Sequence, residues 1–293
     1  MDFVLDTIES FFDITFVAWK PEIADSIDGA PLATKISDLL WDFPYDRLSE
    51  NRLLANHMRP EVMLVGIALY LTSKGPIQGM RDQFGITGKS DVFKLLLALH
   101  SATMQTLSAV VAINVWSTVI THYQEHGMEA TYCDRDGTLW ASGFGAWSTI
   151  FYLFSYYQFI DMWILLLKGK ETPDLQVYLH AGTVFTMWGG IVSQSAWLHS
   201  IVMLNSAFHC IMYTYSFMMT MFPTIYFNSA RYLPTMQIVI LIEGIVYTLA
   251  THGMGSACDS QSSRFMLAII QLAAAALIAI AMTASKKAKS KTD

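Results

Sequence analysis

Residues 204–215 read LNSAFHCIMYTY, and residues 175–180, one predicted helix earlier, read LQVYLH. Both stretches place polar groups inside apolar helices. An ionisable side chain at membrane depth is costly, so it marks a functional site by default. The sequence therefore predicts a site centred on His180 and His209, with the remaining helices holding these two side chains together.

The composition is typical of a membrane protein. The 293 residues are 53% hydrophobic and only 14% charged, whereas soluble domains carry about 25% charged residues. A net charge of -6 argues against nucleic acid as a partner. We expect an amphipathic N-terminal annex at residues 1–58, one membrane domain at residues 59–285 and a basic cytosolic tail at residues 286–293.

The apolar stretches predict an all-α integral membrane protein with seven transmembrane helices. The predicted spans begin near Pro60, Leu95, Ala146, Leu175, Leu198, Pro234 and Phe265. The polar segment between the second and third spans, residues 122–137, is predicted to be a loop in which His122 and His126 are solvated.

The distribution of basic residues predicts the orientation. Lysine and arginine concentrate after spans one, three and five and in the C-terminal tail, which places the C-terminus in the cytosol. Cys133 and Cys258 then fall in loops on the opposite face, where oxidising conditions preserve disulfides. We predict that these two cysteines pair, with two unrelated thiols as the alternative.

Several motifs occur in a recognisable order. They are KGK at residues 168–170, LQVYLH at 175–180, NSAFHCIMYTY at 205–215 and MQI at 236–238, preceded by YYQFID at 156–161. Together they resemble the signatures of the ELO fatty-acid elongases. The resemblance extends from about Pro60 to the C-terminus and leaves the N-terminal annex unmatched.

The resemblance implies a fold and a reaction. Spans two to seven would ring a narrow tunnel that holds an acyl chain or another lipid. The reaction would condense a long-chain acyl-CoA with malonyl-CoA to give 3-ketoacyl-CoA in the endoplasmic reticulum membrane, with no bound cofactor. The expected partners are membrane lipids, acyl-CoA, other elongation-cycle enzymes, a second copy of the chain or a larger membrane complex, which could lie in another organelle.

The resemblance also implies roles for individual residues. His180 and His209 would carry proton transfer and oxyanion contacts, and Asp161 would orient one of them. Residues expected to contact the substrates are Gln158, Lys168, Lys170, Gln176, Asn205, Tyr213 and Gln237. No metal site is predicted, because the histidines lack the paired spacing and carboxylate support of an iron centre.

The histidine box departs from the family pattern, which reads His-x-x-His-His. The matching positions here are Gln176, Leu179 and His180. In the family the middle histidine attacks the acyl thioester, and an isobutyl side chain at position 179 cannot. Two accounts stay open: catalysis by the remaining groups, or an inactive protein of the same fold that serves as a structural or lipid-binding subunit of a membrane complex.

Overall fold

The computed structural model describes residues 57–224, apart from 87, 89, 173 and 193, and six single positions between 236 and 246. Within residues 57–224 the chain forms seven α-helices and a π-helical turn, and no strand occurs among the described residues. The helices are α1 (Pro60–Thr72), α2 (Lys74–Phe84), α3 (Asp91–Cys133), the π-helical turn (Trp140–Phe144), α4 (Gly145–Tyr157), α5 (Phe159–Leu167), α6 (Asp174–Val192) and α7 (Leu198–Met221).

The helices agree with the predicted all-α membrane class, and the count of seven spans stays a prediction. Asp91–Cys133 and the continuous helical stretch Trp140–Leu167 are long and apolar enough to cross a membrane, and Pro60–Thr72 is apolar but shorter. The helices α6 and α7 occupy the predicted fourth and fifth spans. The sixth and seventh spans lie outside the described residues, apart from the six single positions.

Large apolar side chains cover the outside of α1 and the start of α3. Val65, Leu69 and Val92 are each more than half exposed. Contiguous exposed apolar surface is rare in soluble monomers and marks a surface that meets lipid or another protein. These two helix faces are therefore suited to contact with membrane lipid.

The prediction of a loop at residues 122–137 is wrong for most of that segment, because α3 continues to Cys133. Gly127 interrupts the helix with φ 82° and ψ 179°, a conformation that glycine adopts without steric cost. The resulting bend lets Thr131 reach back to His122, whose Nδ1 lies 2.9 Å from the Thr131 hydroxyl. His122 is consequently only 3% exposed, so the prediction that it is solvated is also wrong.

A single carboxylate starts the next helical stretch. Asp134 adopts a left-handed conformation after α3, and its side chain accepts hydrogen bonds from the backbone N–H groups of Leu139 at 2.9 Å and Trp140 at 3.1 Å. Free N–H groups at a helix start need such acceptors. Asp134 therefore joins α3 to the π-helical turn.

The cysteines follow the predicted pattern as far as they are described. Cys133, at the end of α3, is disulfide-bonded, and Cys210 on α7 is a free thiol. Cys258 lies outside the described residues. The pairing of Cys133 with Cys258 stays a prediction.

The helices α3 and α7 form the main helix pair of the bundle. The Ser101 hydroxyl lies 3.0 Å from that of Ser216, and the Trp116 indole N–H donates to the Met203 carbonyl at 3.2 Å. Moving along α3 from 101 to 116 corresponds to moving back along α7 from 216 to 203. The two helices are therefore antiparallel and in contact over several turns.

A second group of helices, α1, α4 and α6, packs beside this pair. Gly66 on α1 allows close approach of α4, because a Cβ atom at this position would lie 2.7 Å from the Tyr156 ring. The buried indole of Trp188 on α6 donates to the Met58 carbonyl at 2.7 Å. The bundle core is aromatic, and its largest fully buried side chains include Trp140, Trp147, Trp188, Tyr70, Tyr152, Phe144 and Phe151.

The close turn between α6 and α7 predicts the effect of one substitution. A Cβ atom on Gly190 would lie 2.4 Å from Cγ of the fully buried Leu198. Overpacking of this kind typically costs about 1–3 kcal/mol, so Gly190→Ala should lower the unfolding temperature of the detergent-purified protein. Tryptophan fluorescence recorded during heating would measure the unfolding temperature of the variant and of the parent.

The control for this experiment is Gly79→Ala in α2, where an added Cβ atom meets nothing within 4 Å. Alanine favours a helix over glycine by about 1 kcal/mol, so this variant should be as stable as the parent or slightly more stable. Equal unfolding temperatures for Gly190→Ala and the parent would contradict the packing described for this turn.

Candidate active site

The break between α4 and α5 presents two polar side chains to the bundle interior. α4 ends at Tyr157 and α5 begins at Phe159, so Gln158 lies at the junction. Asp161 follows three residues later, in the first turn of α5. Residues three apart on a helix share one face, and Gln158 and Asp161 therefore point toward the same group of neighbouring helices.

His209 on α7 is held by Gln158. The Gln158 amide Nε2 donates to Nδ1 of His209 at 3.0 Å, and the Phe151 ring stacks on the imidazole with centroids 6.0 Å apart. Since Nδ1 accepts this hydrogen bond, neutral His209 carries its proton on Nε2. His209 is thus set to donate a hydrogen bond from Nε2.

His180 on α6 is positioned by a tyrosine from α1. The Tyr70 hydroxyl lies 3.5 Å from Nδ1 of His180, and the Tyr70 ring stacks on Phe159 with centroids 3.9 Å apart. A tyrosine fixed by stacking limits the rotation of the imidazole beside it. With the tyrosine donating, His180 also presents Nε2–H toward its surroundings.

Asp161 links three helices. One carboxylate oxygen accepts a hydrogen bond from Nε2 of His100 on α3 at 2.8 Å, and the other accepts one from the Tyr213 hydroxyl on α7. The His100 side chain is 7% exposed and that of Asp161 15%. A carboxylate buried to this degree needs such partners, because removing an unpaired charge from water is expensive.

Hydrogen bonds and ring contacts connect the surroundings of the two predicted histidines. His209 contacts Gln158, and His180 lies beside Tyr70, whose ring stacks on Phe159, the residue that follows Gln158. Among the described residues, however, Asp161 forms its hydrogen bonds with His100 and Tyr213. The expectation that Asp161 orients His180 or His209 stays a prediction.

Two residues of this cluster escape sequence reasoning. In the sequence His100 is one of several polar residues in the second span, and Tyr70 is one aromatic residue in the first. A histidine inside an apolar helix is the available signal for His100. Tyr70 offers no such signal, since a tyrosine in an apolar helix is usual packing.

The remaining residues of the predicted site differ in their hydrogen bonds and in their burial. The Asn205 amide donates to the Ile201 carbonyl of its own helix at 2.9 Å. Gln176 and Leu179 are both half-buried, and within the described part of the chain the Gln176 side chain has no hydrogen-bond partner. Gln237 lies outside the described residues.

A cationic group lies at the C-terminal end of α5. Lys168 and Lys170 follow α5, and the Arg81 guanidinium from α2 donates to the Leu166 carbonyl at 3.4 Å. Burial lowers the pKa of the Lys168 ammonium, and the neighbouring Lys170 charge lowers it further. Neither lysine has an acidic partner within the described ranges, so both charges remain available to an anion.

Two cavities are present elsewhere in the bundle. One of about 280 Å³ lies between α3 and α7 and is lined by residues that include Trp116, His199 and Met203. The other, of about 530 Å³, opens beside α1 and α4 and is lined by Val65, Gly66 and Tyr156 among others. Neither cavity is lined by His180 or His209, and the tunnel ringed by spans two to seven stays a prediction.

A known protein family matches most of the chain. The GNS1/SUR4 family, ELO, matches residues 54–284. The chain belongs to the ELO family. The match includes all the described residues of the bundle and the site.

Individual ELO relatives are similar at modest identity. The chain is 26% identical over 185 residues to fatty acid elongase 2 of Trypanosoma brucei brucei, covering 62% of this chain and 68% of that protein. It is 27% identical over 186 residues to a putative fatty acid elongase of Dictyostelium discoideum, covering 60% of each chain. Fatty acid elongase sre1 of the same organism is 28% identical over 159 residues, 53% of this chain and 58% of the relative. No solved structure matches the chain.

The Asp161 hydrogen bonds predict the effect of removing one hydroxyl. Tyr213→Phe leaves one carboxylate oxygen without its donor, and an unsatisfied buried acceptor costs about 1–3 kcal/mol. The unfolding temperature in detergent should fall by about 2–4 °C for each kcal/mol in a chain of this size. Differential scanning fluorimetry would measure the change.

The matched control is Tyr178→Phe on α6, because Tyr178 is 42% exposed. This variant loses the same atom from a side chain that water or lipid headgroups can reach. If Tyr178→Phe lowers the unfolding temperature as much as Tyr213→Phe does, the effect at Tyr213 does not come from its hydrogen bond to Asp161.

Proposed function

We propose that this protein is a fatty acid elongase that condenses a long-chain acyl-CoA with malonyl-CoA to give 3-ketoacyl-CoA. The observation that carries the proposal is that an apolar helical bundle holds the buried His180 and His209 through Tyr70 and Gln158, and holds the carboxylate of Asp161 through His100. Membership of the ELO family supports it, as do relatives that are named fatty acid elongases.

The cluster fits the chemistry of decarboxylative condensation. Loss of carbon dioxide from malonyl-CoA creates an enolate, and attack on the acyl thioester creates a tetrahedral oxyanion. Hydrogen-bond donors placed in a water-poor site stabilise such oxygens strongly. The Nε2–H groups of His180 and His209 are suitable donors, because the Nδ1 atom of each faces a donor of its own.

The lysines after α5 are suited to bind the coenzyme A portion of the substrates. Coenzyme A carries several phosphates, and Lys168 and Lys170 are cations without acidic partners among the described residues. Ammonium groups bind phosphate through charge-assisted hydrogen bonds. Arg81 lies near these lysines on α2, but its guanidinium is already paired with Asp82 at 2.7 Å.

We further propose a location in the endoplasmic reticulum membrane with the C-terminus in the cytosol. The concentration of lysine in residues 286–293 supports this orientation, because positive residues remain on the cytosolic side. The lysines after α5 would then lie on the same side, where coenzyme A esters are dissolved.

A second function is favoured by Leu179. The ELO pattern has an imidazole at this position, and the leucine found here has no group that can attack a thioester or transfer a proton. The alternative is an inactive member of the family that serves as a structural or lipid-binding subunit of a membrane complex.

One experiment separates these two functions. The protein, purified in detergent with its native lipid, is incubated with labelled malonyl-CoA and palmitoyl-, oleoyl- or arachidonoyl-CoA, and 3-ketoacyl products are measured. The proposed activity requires product from the parent protein and its loss in the His180→Gln, His209→Gln double variant. Product from Leu179→His alone would reject the activity and favour the inactive subunit, as would the absence of product from both together with copurifying partner chains.

The lysine pair predicts a kinetic effect. Replacing Lys168 and Lys170 with glutamine should raise KM for acyl-CoA about tenfold, which corresponds to about 1.4 kcal/mol, with little change in kcat. The same variant should lose most of the salt dependence of KM, because screening by salt acts on the charges that were removed. Initial rates at several salt concentrations would test this.

Lys94→Gln provides the control, since the Lys94 ammonium already pairs with Asp91 at 3.0 Å on the surface of α3. Its KM should match that of the parent protein. If the lysine pair variant also keeps the parent KM, coenzyme A binds elsewhere.

A further inference from the structure

His100 on α3 is a buried histidine that no motif of the chain includes. Its Nε2 lies 2.8 Å from Oδ1 of Asp161, and the Tyr213 hydroxyl holds the other oxygen of the same carboxylate. The His100 ring also lies 6.0 Å from that of Tyr213, edge to face, and His209 lies 5.9 Å from the same tyrosine ring. His100 thus belongs to the cluster described above.

The carboxylate fixes the proton of His100. Ionised Asp161 only accepts hydrogen bonds, so Nε2 of His100 carries a proton and neutral His100 has its lone pair on Nδ1. That nitrogen is buried and has no hydrogen-bond partner among the described residues. A buried polar atom without a partner costs about 1–3 kcal/mol, and a retained cost of this kind is often explained by a catalytic role.

The other imidazoles of the site are arranged in the opposite sense. Nδ1 of His209 accepts from the Gln158 amide, so its outward nitrogen is a donor, and the outward nitrogen of His180 is a donor when the Tyr70 hydroxyl donates to its Nδ1. Leu179 contributes no nitrogen at all. Within the described part of this site, His100 is the imidazole that combines a carboxylate on one nitrogen with an unused lone pair on the other, which is the arrangement of an activated nucleophile or base.

We propose that His100 is the acyl-accepting nucleophile of this protein, with Asp161 holding its Nε2 proton. The inference rests on the proposed elongase function. Nδ1 attacks the carbonyl carbon of acyl-CoA, a carbon–nitrogen bond forms and the carbon–sulfur bond breaks. The Nε2 proton passes to Asp161 and then to the departing CoA thiolate, leaving neutral acyl-imidazole and CoA.

The second half of the cycle restores the histidine. Malonyl-CoA loses carbon dioxide, and the resulting carbanion attacks the acyl carbon and breaks its bond to Nδ1. The imidazole takes up one proton from solvent through Asp161. The balance is one acyl-CoA, one malonyl-CoA and one proton converted to 3-ketoacyl-CoA, CoA and carbon dioxide.

Access to Nδ1 requires a local movement. The atom has no contact with solvent in the ligand-free chain, and the Tyr157 ring lies 5.2 Å from the imidazole ring. Tyr157 is 36% exposed, and the proposal requires its side chain to rotate when an acyl chain enters. Catalytic contacts often tighten only when substrate is bound.

The test measures the first half-reaction alone. Full-length protein is mixed with palmitoyl-CoA without malonyl-CoA, and free CoA thiol is measured in a single turnover. The His100→Gln variant keeps an N–H donor for Asp161 but has no nucleophilic nitrogen, so its CoA release should fall about a hundredfold or more. His126→Gln, on the same helix at an exposed position, should release CoA at the parent rate.

A second measurement does not depend on the folding of any variant. The parent protein is treated with 2-bromopalmitoyl-CoA, which alkylates a nucleophile with loss of bromide, and the stable adduct is located by peptide mass spectrometry. The proposal requires the adduct on His100. Protection by excess palmitoyl-CoA should accompany it.

The outcomes distinguish this inference from the function beneath it. If the parent protein makes 3-ketoacyl-CoA but the adduct lies on His180 or His209, His100 is not the nucleophile and the elongase function stands. Parent-like CoA release from His100→Gln likewise rejects His100 as the nucleophile and leaves the elongase function intact. If the parent protein neither releases CoA nor makes product, the elongase function and the role of His100 both fail.

Discussion

The hydrogen bonds of Asp161 are the constraint on which the centre of this bundle depends. A carboxylate among apolar helices has little water to solvate it, and it stays charged only where donors reach both oxygens. His100 and Tyr213 provide these donors from α3 and α7, while Asp161 itself comes from α5. Three helices are thereby held in one relative position, because the carboxylate would be costly to leave without these donors.

The same constraint explains why the α4–α5 junction is important. Gln158 and Asp161 lie on one face because they are three positions apart, and each contacts a different part of α7, at His209 and Tyr213. His209 and Tyr213 are four residues apart and so also share a face. The two helices meet through paired polar contacts at matching spacings, which fixes their register more strongly than apolar packing alone.

The loss of an imidazole at Leu179 has a physical counterpart elsewhere in the site. His180 and His209 keep their supporting contacts, and the buried carboxylate keeps two donors. A chain that had lost all need for chemistry would be free to replace these groups with apolar residues, which often costs nothing or increases stability. The supported histidines and the paired carboxylate are the observations on which the proposed reaction rests, and Leu179 is the observation on which the inactive alternative rests.

The sequence by itself determined the all-α membrane class and the approximate positions of the first five apolar helices, since these follow from composition and from the lengths of the apolar stretches. It did not determine the extension of α3 past His122, because the bend at Gly127 and the bonds of His122 to Thr131 and Thr138 join residues whose local pattern is that of a loop. It also did not identify His100 and Tyr70 as members of the site. Only the tertiary structure decided that Asp161 pairs with His100, because this contact joins residues 61 positions apart, and helical periodicity carries no information about which helix lies opposite.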